Sequence, residues 1–228
     1  NASALEDATR LDVVIFDKTG TLTLGKPEVV EVVPAAGRSE DDVLATAAGM
    51  EQHSEHPLAH AILERAKARQ LTGLPAEGFT NIDGMGARAV AGGQPALVGN
   101  RRLMDSERVD LMGLEAEAER LADGGRTVVH VARAGKLEGL IAIADAARPT
   151  SAAAVAALKQ RGVQVAMLTG DNRATAERIG RELGVSMVLA EVLPGQKAEQ
   201  VKALQAQGKK AGMVGDGIND APALTQAD

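Results

Sequence analysis

Three short stretches carry residue types able to do phosphate or metal chemistry: Asp17-Lys18-Thr19-Gly20-Thr21-Leu22-Thr23, Thr169-Gly170-Asp171 and Gly215-Asp216-Gly217-Ile218-Asn219-Asp220. Each follows an apolar run that reads as a buried strand, the first being Val13-Val14-Ile15-Phe16. A carboxylate leaving such a strand can ligate a metal or act as a nucleophile. Carboxylates delivered by separate strands suit an oxygen-seeking Mg²⁺, while the Thr169 hydroxyl and a lysine such as Lys197 suit phosphoryl oxygens. Together they describe phosphoryl transfer. Singly, each has a structural use: Asp17 as a turn former or cap, Asp171 and Asn219-Asp220 as helix caps, Lys197 as a solvated lysine. What joins them is topology, because in open α/β sheets the groups beyond the carboxyl ends of the strands share one edge.

The elements that must position them follow from pattern. Beyond Asp145, Pro149-Thr150-Ser151 opens an alanine-rich helix closing at Gly162, Val163–Leu168 is a strand, and a helix spans Arg173–Leu183 before Gly184. Strand Met187–Ala190, a helix from Pro194 to Gln207-Gly208 and strand Lys210–Val214 complete an alternating βαβα order, which implies a parallel sheet with right-handed crossovers. The buried strand ending at Asp17 belongs in the same sheet, so residues 25–141 read as a separate domain inserted between 1–24 and 142–228.

That insert reads as α+β. Residues 26–34, bounded by Pro27 and Pro34, suit an exposed or edge strand. Ser39 and Asp42 cap a helix running to Glu51 with Val43, Leu44, Ala47 and Ala48 buried, and a second helix runs from Ser54-Pro57 to about Gln70. From Phe79 to Gly99 short strands alternate with glycine turns, then come a helix over Met112–Ala122 and strands Thr127–Ala132 and Leu137–Ala144. Residues 1–12 read as a short polar helical approach.

Composition narrows the partners. The chain has 228 residues, 45% apolar, with a net charge of −6. It therefore has enough apolar content for a core and no basic footprint for nucleic acid. Without cysteine there is no disulfide or thiolate site. No apolar run approaches the ~20 residues of a membrane helix. The chain starts at Asn1 and stops soon after the last motif, so it reads as a soluble excerpt of a longer protein.

The motifs at 17–23, 169–171 and 215–220 resemble, in order and spacing, the phosphorylation domain of the P-type ATPases, whose fold is haloacid dehalogenase-like. In the insert, Glu51 with Ser54-Glu55-His56-Pro57, then Gly84-Met85-Gly86, then Gly99-Asn100, look like the nucleotide-binding domain of the heavy-metal-transporting branch. The resemblance implies a Rossmann-like parallel-sheet phosphorylation domain and an antiparallel sheet flanked by helices for nucleotide. It implies ATP and Mg²⁺ as ligands. Asp17 would take the γ-phosphate, with Mg²⁺ held by Asp17, the Thr19 carbonyl and Asp216. Lys18, Thr169, Gly170, Asp171 and Lys197 would surround the phosphoryl group, and Asn219 and Asp220 would orient the shell. His56 would orient the nucleotide, Glu51 would bond adenine, Gly84 and Gly86 would admit the phosphates, and Gly99 and Asn100 would support the site.

Many hydrolases of this fold carry an acid two residues after the nucleophile; here Thr19 stands there, which implies slow water attack on an aspartyl phosphate and weak turnover by the excerpt. The expected partners are ATP, the membrane and actuator domains of the full-length chain, and a transported ion bound elsewhere. The excerpt itself would be a monomeric cytoplasmic domain of an integral membrane protein. Copper is the first expectation for the ion, with zinc, cadmium or cobalt open. Two alternatives are a free phosphatase of the same fold and a metal-sensing module built on His53, His56 and His60.

Overall fold

The computed structural model describes residues 10–215, 217 and 220–228. The expected helical approach over residues 1–12 lies mostly outside them. From the start the chain runs through β1 (Val13–Asp17), a tight irregular turn at Lys18–Leu22, β2 (Thr23–Pro34), α1 (Glu40–Glu51) and α2 (Pro57–Ala68). Next come β3 (Ala76–Ile82), β4 (Gly86–Ala91), β5 (Gln94–Gly99), α3 (Arg101–Ser106) and α4 (Glu115–Asp123). They are followed by β6 (Thr127–Arg133), β7 (Lys136–Ala147), α5 (Ser151–Gln160), β8 (Gln164–Leu168) and α6 (Arg173–Leu183). The last are β9 (Met187–Leu189), a 3₁₀ turn at Pro194–Gln196, α7 (Lys197–Ala206), β10 (Ala211–Val214) and α8 (Ala221–Gln226). Two compact units result: Asn1–Lys26 with Asp145–Asp228, and Pro27–Ala144. The chain crosses between them along β2 and β7.

In the first unit β1 is central in a parallel sheet of order β10-β1-β8-β9. Val13 pairs with Gln164 and Ala211, and Asp17 pairs with Leu168, so the polar residues after these strands emerge at a common edge. Both faces are covered, which is why the strands are continuous apolar runs rather than alternating ones. Val13, Ile15, Ala166 and Leu168 pack with Val201 and Leu204 of α7, while Val165 and Met167 pack with Val155 of α5 and Ala176, Ile179 and Leu183 of α6. Burying one such aliphatic side chain contributes roughly 1.5–3 kcal/mol.

The second unit is a six-stranded sheet of order β2-β7-β6-β5-β4-β3, antiparallel at every pairing from β7 to β3. Helices α1 and α2 set Val43, Leu44, Ala47 and Ile62 against Val98, Val129, Val131 and Ile141 on one face. Helices α3 and α4 set Leu103, Met104 and Leu121 against Ala132, Leu140 and Ala142 on the other. The expected architecture, a parallel-sheet domain with an inserted α+β domain built on an antiparallel sheet, is the one observed.

Local differences have local causes. Helix α2 begins at Pro57, with His56 rather than Ser54 as its cap. Helix α4 begins at Glu115 rather than Met112, because Met112 and Gly113 take left-handed φ of 53° and 75°. The segment after Pro194 starts as a 3₁₀ turn before α7. Helices α3 and α8, six residues each, are too short to leave a periodic signature.

Candidate functional site

The edge beyond β1 and β8 is dense in buried charge. Asp17, Lys18, Thr169 and Asp220 are all buried. Lys197, at the start of α7, donates from Nζ to Asp17 Oδ1 at 2.8 Å and to Asp220 Oδ1 at 2.6 Å. Burial pulls the Lys197 pKa down, but the bonds to the two carboxylates outweigh it and hold the ammonium above its ordinary value. A second ion pair joins Lys18 to Asp171 at 3.1 Å. Thr169 Oγ1 accepts from the Asp171 N–H at 3.1 Å, which fixes the turn after β8 with Gly170 inside it.

These contacts show which of the described residues act as helix caps. Asn172, not Asp171, caps α6, through an Oδ1 that accepts from Thr175 N–H at 2.9 Å. Asp220 stands at the start of α8 but makes no side-chain cap; its Oδ1 is spent on Lys197. Thr19 is exposed, in an extended conformation inside the turn. Asp216 and Asn219 lie outside the described residues.

Three residues whose role here was missed at the sequence level, Asp145, Arg148 and Ser151, hold this turn. Asp145, in the last part of β7, accepts from Thr23 Oγ1 at 2.5 Å and from Gly25 N–H at 2.8 Å. Thr23 is buried, and its Oγ1 also accepts from Gly20 N–H at 3.1 Å. Arg148 donates to the Gly20 carbonyl at 2.8 Å, and Ser151 Oγ donates to the Leu22 carbonyl at 2.8 Å. The backbone around Thr19 is thus set by side chains more than 120 residues away. The available signal was a lone Asp-Ala-Ala-Arg at the end of an apolar strand, which has no periodicity to flag it.

The second unit holds a cavity of about 540 Å³, within the range of small-molecule sites. Glu51, Ser54, His56, Gly84, Gly86, Gly99 and Asn100 all line it, together with apolar Leu58, Ile62 and Val98. All six nucleotide-site residues expected from sequence therefore meet in one place. His56 Nδ1 accepts from Leu58 N–H at 3.1 Å, so the neutral ring carries its proton on Nε2 and keeps a donor there. Burial raises the Glu51 carboxyl above its ordinary pKa, against the lowering pull of a Ser54 hydrogen bond.

The glycines are shaped by one another. A Cβ on Gly86 would lie 2.2 Å from the Val98 carbonyl oxygen, and one on Gly99 would lie 2.1 Å from that of Met85. No larger residue allows these backbones to touch. Asn100 joins the same contact: its Oδ1 caps α3 at Leu103 N–H, 3.1 Å, while its Nδ2 donates to the Gly84 carbonyl at 2.8 Å. Among the described residues no group of three or more His, Cys, Asp or Glu could hold a metal ion, so His53, His56 and His60 do not form the cluster considered as an alternative. Nor is any helix among them long and apolar enough to cross a membrane.

A parallel-sheet unit with an aspartate at the end of its central strand, interrupted by an α+β unit, has known counterparts. Residues 11–228 match the haloacid dehalogenase-like hydrolases, and the chain belongs to that family. Along its whole length it is 47% identical to part of the copper-exporting P-type ATPase of Vibrio cholerae and 49% identical to part of a probable copper-exporting P-type ATPase of Archaeoglobus fulgidus. It spans only 25% and 28% of those proteins. Among solved structures, a zinc-transporting PIB-type ATPase in its E2.Pi state superimposes with a TM-score of 0.85 at 39% identity, over 98% of this chain and 36% of that one. The catalytic domain of a CPx-ATPase, CopB-B, gives 0.63 at 28% identity over 100% and 81%. The resemblance to the heavy-metal P-type ATPases drawn from the motifs is thus found across the full chain.

Proposed function

We propose that this chain is the ATP-binding, phosphate-accepting portion of a heavy-metal P-type ATPase that exports copper. The observation that carries the reading is the ammonium of Lys197 shared by the buried carboxylates of Asp17 and Asp220 at the end of the central strand. Residues 27–144 hold the nucleotide and the remainder accepts the phosphoryl group. Asp17 attacks the γ-phosphorus of ATP, a new P–O bond forms as the bond to ADP breaks, and an aspartyl phosphate remains. Lys197, Thr169 and Lys18 offset charge on the transferred oxygens, an arrangement paid for in advance by folding. In the pocket, Glu51 faces the adenine, His56 orients the nucleotide through Nε2, and the Gly84–Gly86 loop lies against the phosphates.

The donor chemistry fits Mg²⁺, since Asp17 and Asp220 already place hard carboxylate oxygens about one cationic centre. Asp17, the Thr19 carbonyl and Asp216 would hold the ion, which supplies charge neutralisation at the phosphoryl oxygens. With Thr19 two residues beyond the nucleophile, no acid stands there to activate water, so the phosphoenzyme persists. Dephosphorylation then depends on an actuator domain, and ion translocation on membrane helices, elsewhere in the full-length protein; this portion works at the cytoplasmic face. Copper rests on the names of the relatives by sequence.

Incubation with γ-labelled ATP and Mg²⁺ tests the reading. The expected product is a hydroxylamine-sensitive, acid-stable label on the protein, absent from Asp17→Asn, with slow release of inorganic phosphate. Rapid sustained phosphate release abolished by Asp17→Asn would instead mean a free phosphatase.

A further inference from the structure

We propose that Arg102 is a positioning residue for the nucleotide pocket, fixing the Gly84–Gly86 loop from behind through the Gly84 carbonyl. The proposal rests on the nucleotide reading of that pocket. Gly84 lines the cavity at a left-handed φ of 68°, where a Cβ would meet nothing nearer than Arg102 Nη2 at 3.9 Å. A glycine in that situation has more backbone freedom than any other residue. Its following peptide is nevertheless held at both ends. The Met85 N–H donates to the Ile82 carbonyl at 3.0 Å, and the Gly84 oxygen accepts from Asn100 Nδ2 at 2.8 Å and from Arg102 Nη2 at 2.9 Å.

Two donors fill both lone pairs of that oxygen. Because the peptide is planar, fixing its C=O and N–H fixes the ψ of Gly84 and hence the wall that the ligand meets. Asn100 supplies one of these donors, from an amide oriented by the bond its Oδ1 accepts from Leu103 N–H. The neighbouring Arg101 is bound to Asp105 at 2.8 Å, one turn along α3, so it is committed away from the loop. Arg102 therefore supplies the second anchor. A loop ordered before the ligand arrives spares the ligand the cost of ordering it.

This role differs from that of a phosphate ligand, which the same cation could otherwise be. A positioning residue orders the loop before any ligand arrives, so its loss shows in the unliganded chain, whereas a phosphate ligand matters only once nucleotide is bound. Amide exchange of the unliganded 228-residue chain and its Arg102→Ala and Arg102→Lys variants, beside calorimetric titration with adenosine, AMP, ADP and ATP, separates the two. Arg102→Ala is expected to weaken ADP and ATP binding by about three- to tenfold, with Arg102→Lys in between. Amide exchange at Gly84–Gly86 in the unliganded Arg102→Ala chain should speed up while the thermal midpoint stays within a degree or two.

Weakened ATP affinity with amide exchange at Gly84–Gly86 unchanged in the unliganded variant would overturn positioning in favour of a direct phosphate contact. Unchanged affinities in a wild-type chain that binds nucleotide would remove Arg102 from the site. A wild-type chain that binds none of the four defeats the nucleotide reading itself.

Discussion

The two candidate sites are built on opposite principles. At the end of β1 charge is concentrated: two lysines and three carboxylates, most of them buried, satisfy one another at 2.6–3.1 Å. In the pocket of the second unit there is little charge, and its shape comes from glycine backbones in contact and from aliphatic side chains. The first arrangement suits stabilising charge that develops in a transition state, where preorganised dipoles and ions are worth most. The second suits holding a neutral aromatic base and leaving room for what is attached to it. One site should therefore fail through electrostatics and the other through sterics.

Lys197→Met should give the largest effect. It leaves Asp17 and Asp220 facing each other without the intervening cation. Breaking a buried ion pair from one side costs about 3–5 kcal/mol. Labelling by ATP should fall at least about a hundredfold, nucleotide affinity measured by calorimetry should be unchanged, and the added Asp220→Asn change should restore much of the lost thermal stability. Restored labelling in that double variant would show that Lys197 acts only as a structural counterion.

Gly86→Ala should do the reverse. Its Cβ meets the Val98 carbonyl at 2.2 Å, so the wall must open, costing about 2–3 kcal/mol and roughly tenfold or more in nucleotide affinity. An alanine at Gly93, which meets nothing within 4 Å, should cost only the strain of its positive φ, about 1 kcal/mol. Equal losses at the two positions would refute the steric account.

The smallest expected effect is a pH dependence at His130. Burial, with help from the nearby Arg101 charge, holds this imidazole below its ordinary pKa. The unfolded chain then binds the proton first, so stability is lost as pH falls below the ordinary histidine value of about 6.5, by at most ~1.4 kcal/mol per pH unit. Denaturant titrations at pH 7.5 and 5.5 should show a slope that His130→Phe flattens; an unchanged slope would assign it to other groups.

Legibility in the sequence divides along the same line. Asp17 at the end of a β-branched run, the Ser39/Asp42 capping box and the bounds of α6 were readable, because each is set within a few residues. The convergence of Asp17, Lys197 and Asp220 followed once a parallel sheet was inferred. Contacts that depend on distant segments were not readable. The Gly86 and Gly99 backbones touch only after β4 and β5 pair, and the brace of Asp145 and Arg148 on residues 20–25 spans the whole insert. Nor does Glu138 announce itself: a buried carboxylate within an apolar strand, it accepts from Thr46 Oγ1 and Arg133 Nε, both at 2.9 Å. Burying it costs unless both donors are present, and no local pattern encodes them.

The bond between Gly25 N–H and Asp145 bears on how such a chain could arise. It places the exit and the re-entry of the first unit within hydrogen-bonding distance, so the 118 residues of Pro27–Ala144 enter the chain between two points that a short turn could also join. Insertion is tolerated where chain ends lie this close, so a short turn in place of those residues should leave the parent sheet able to form.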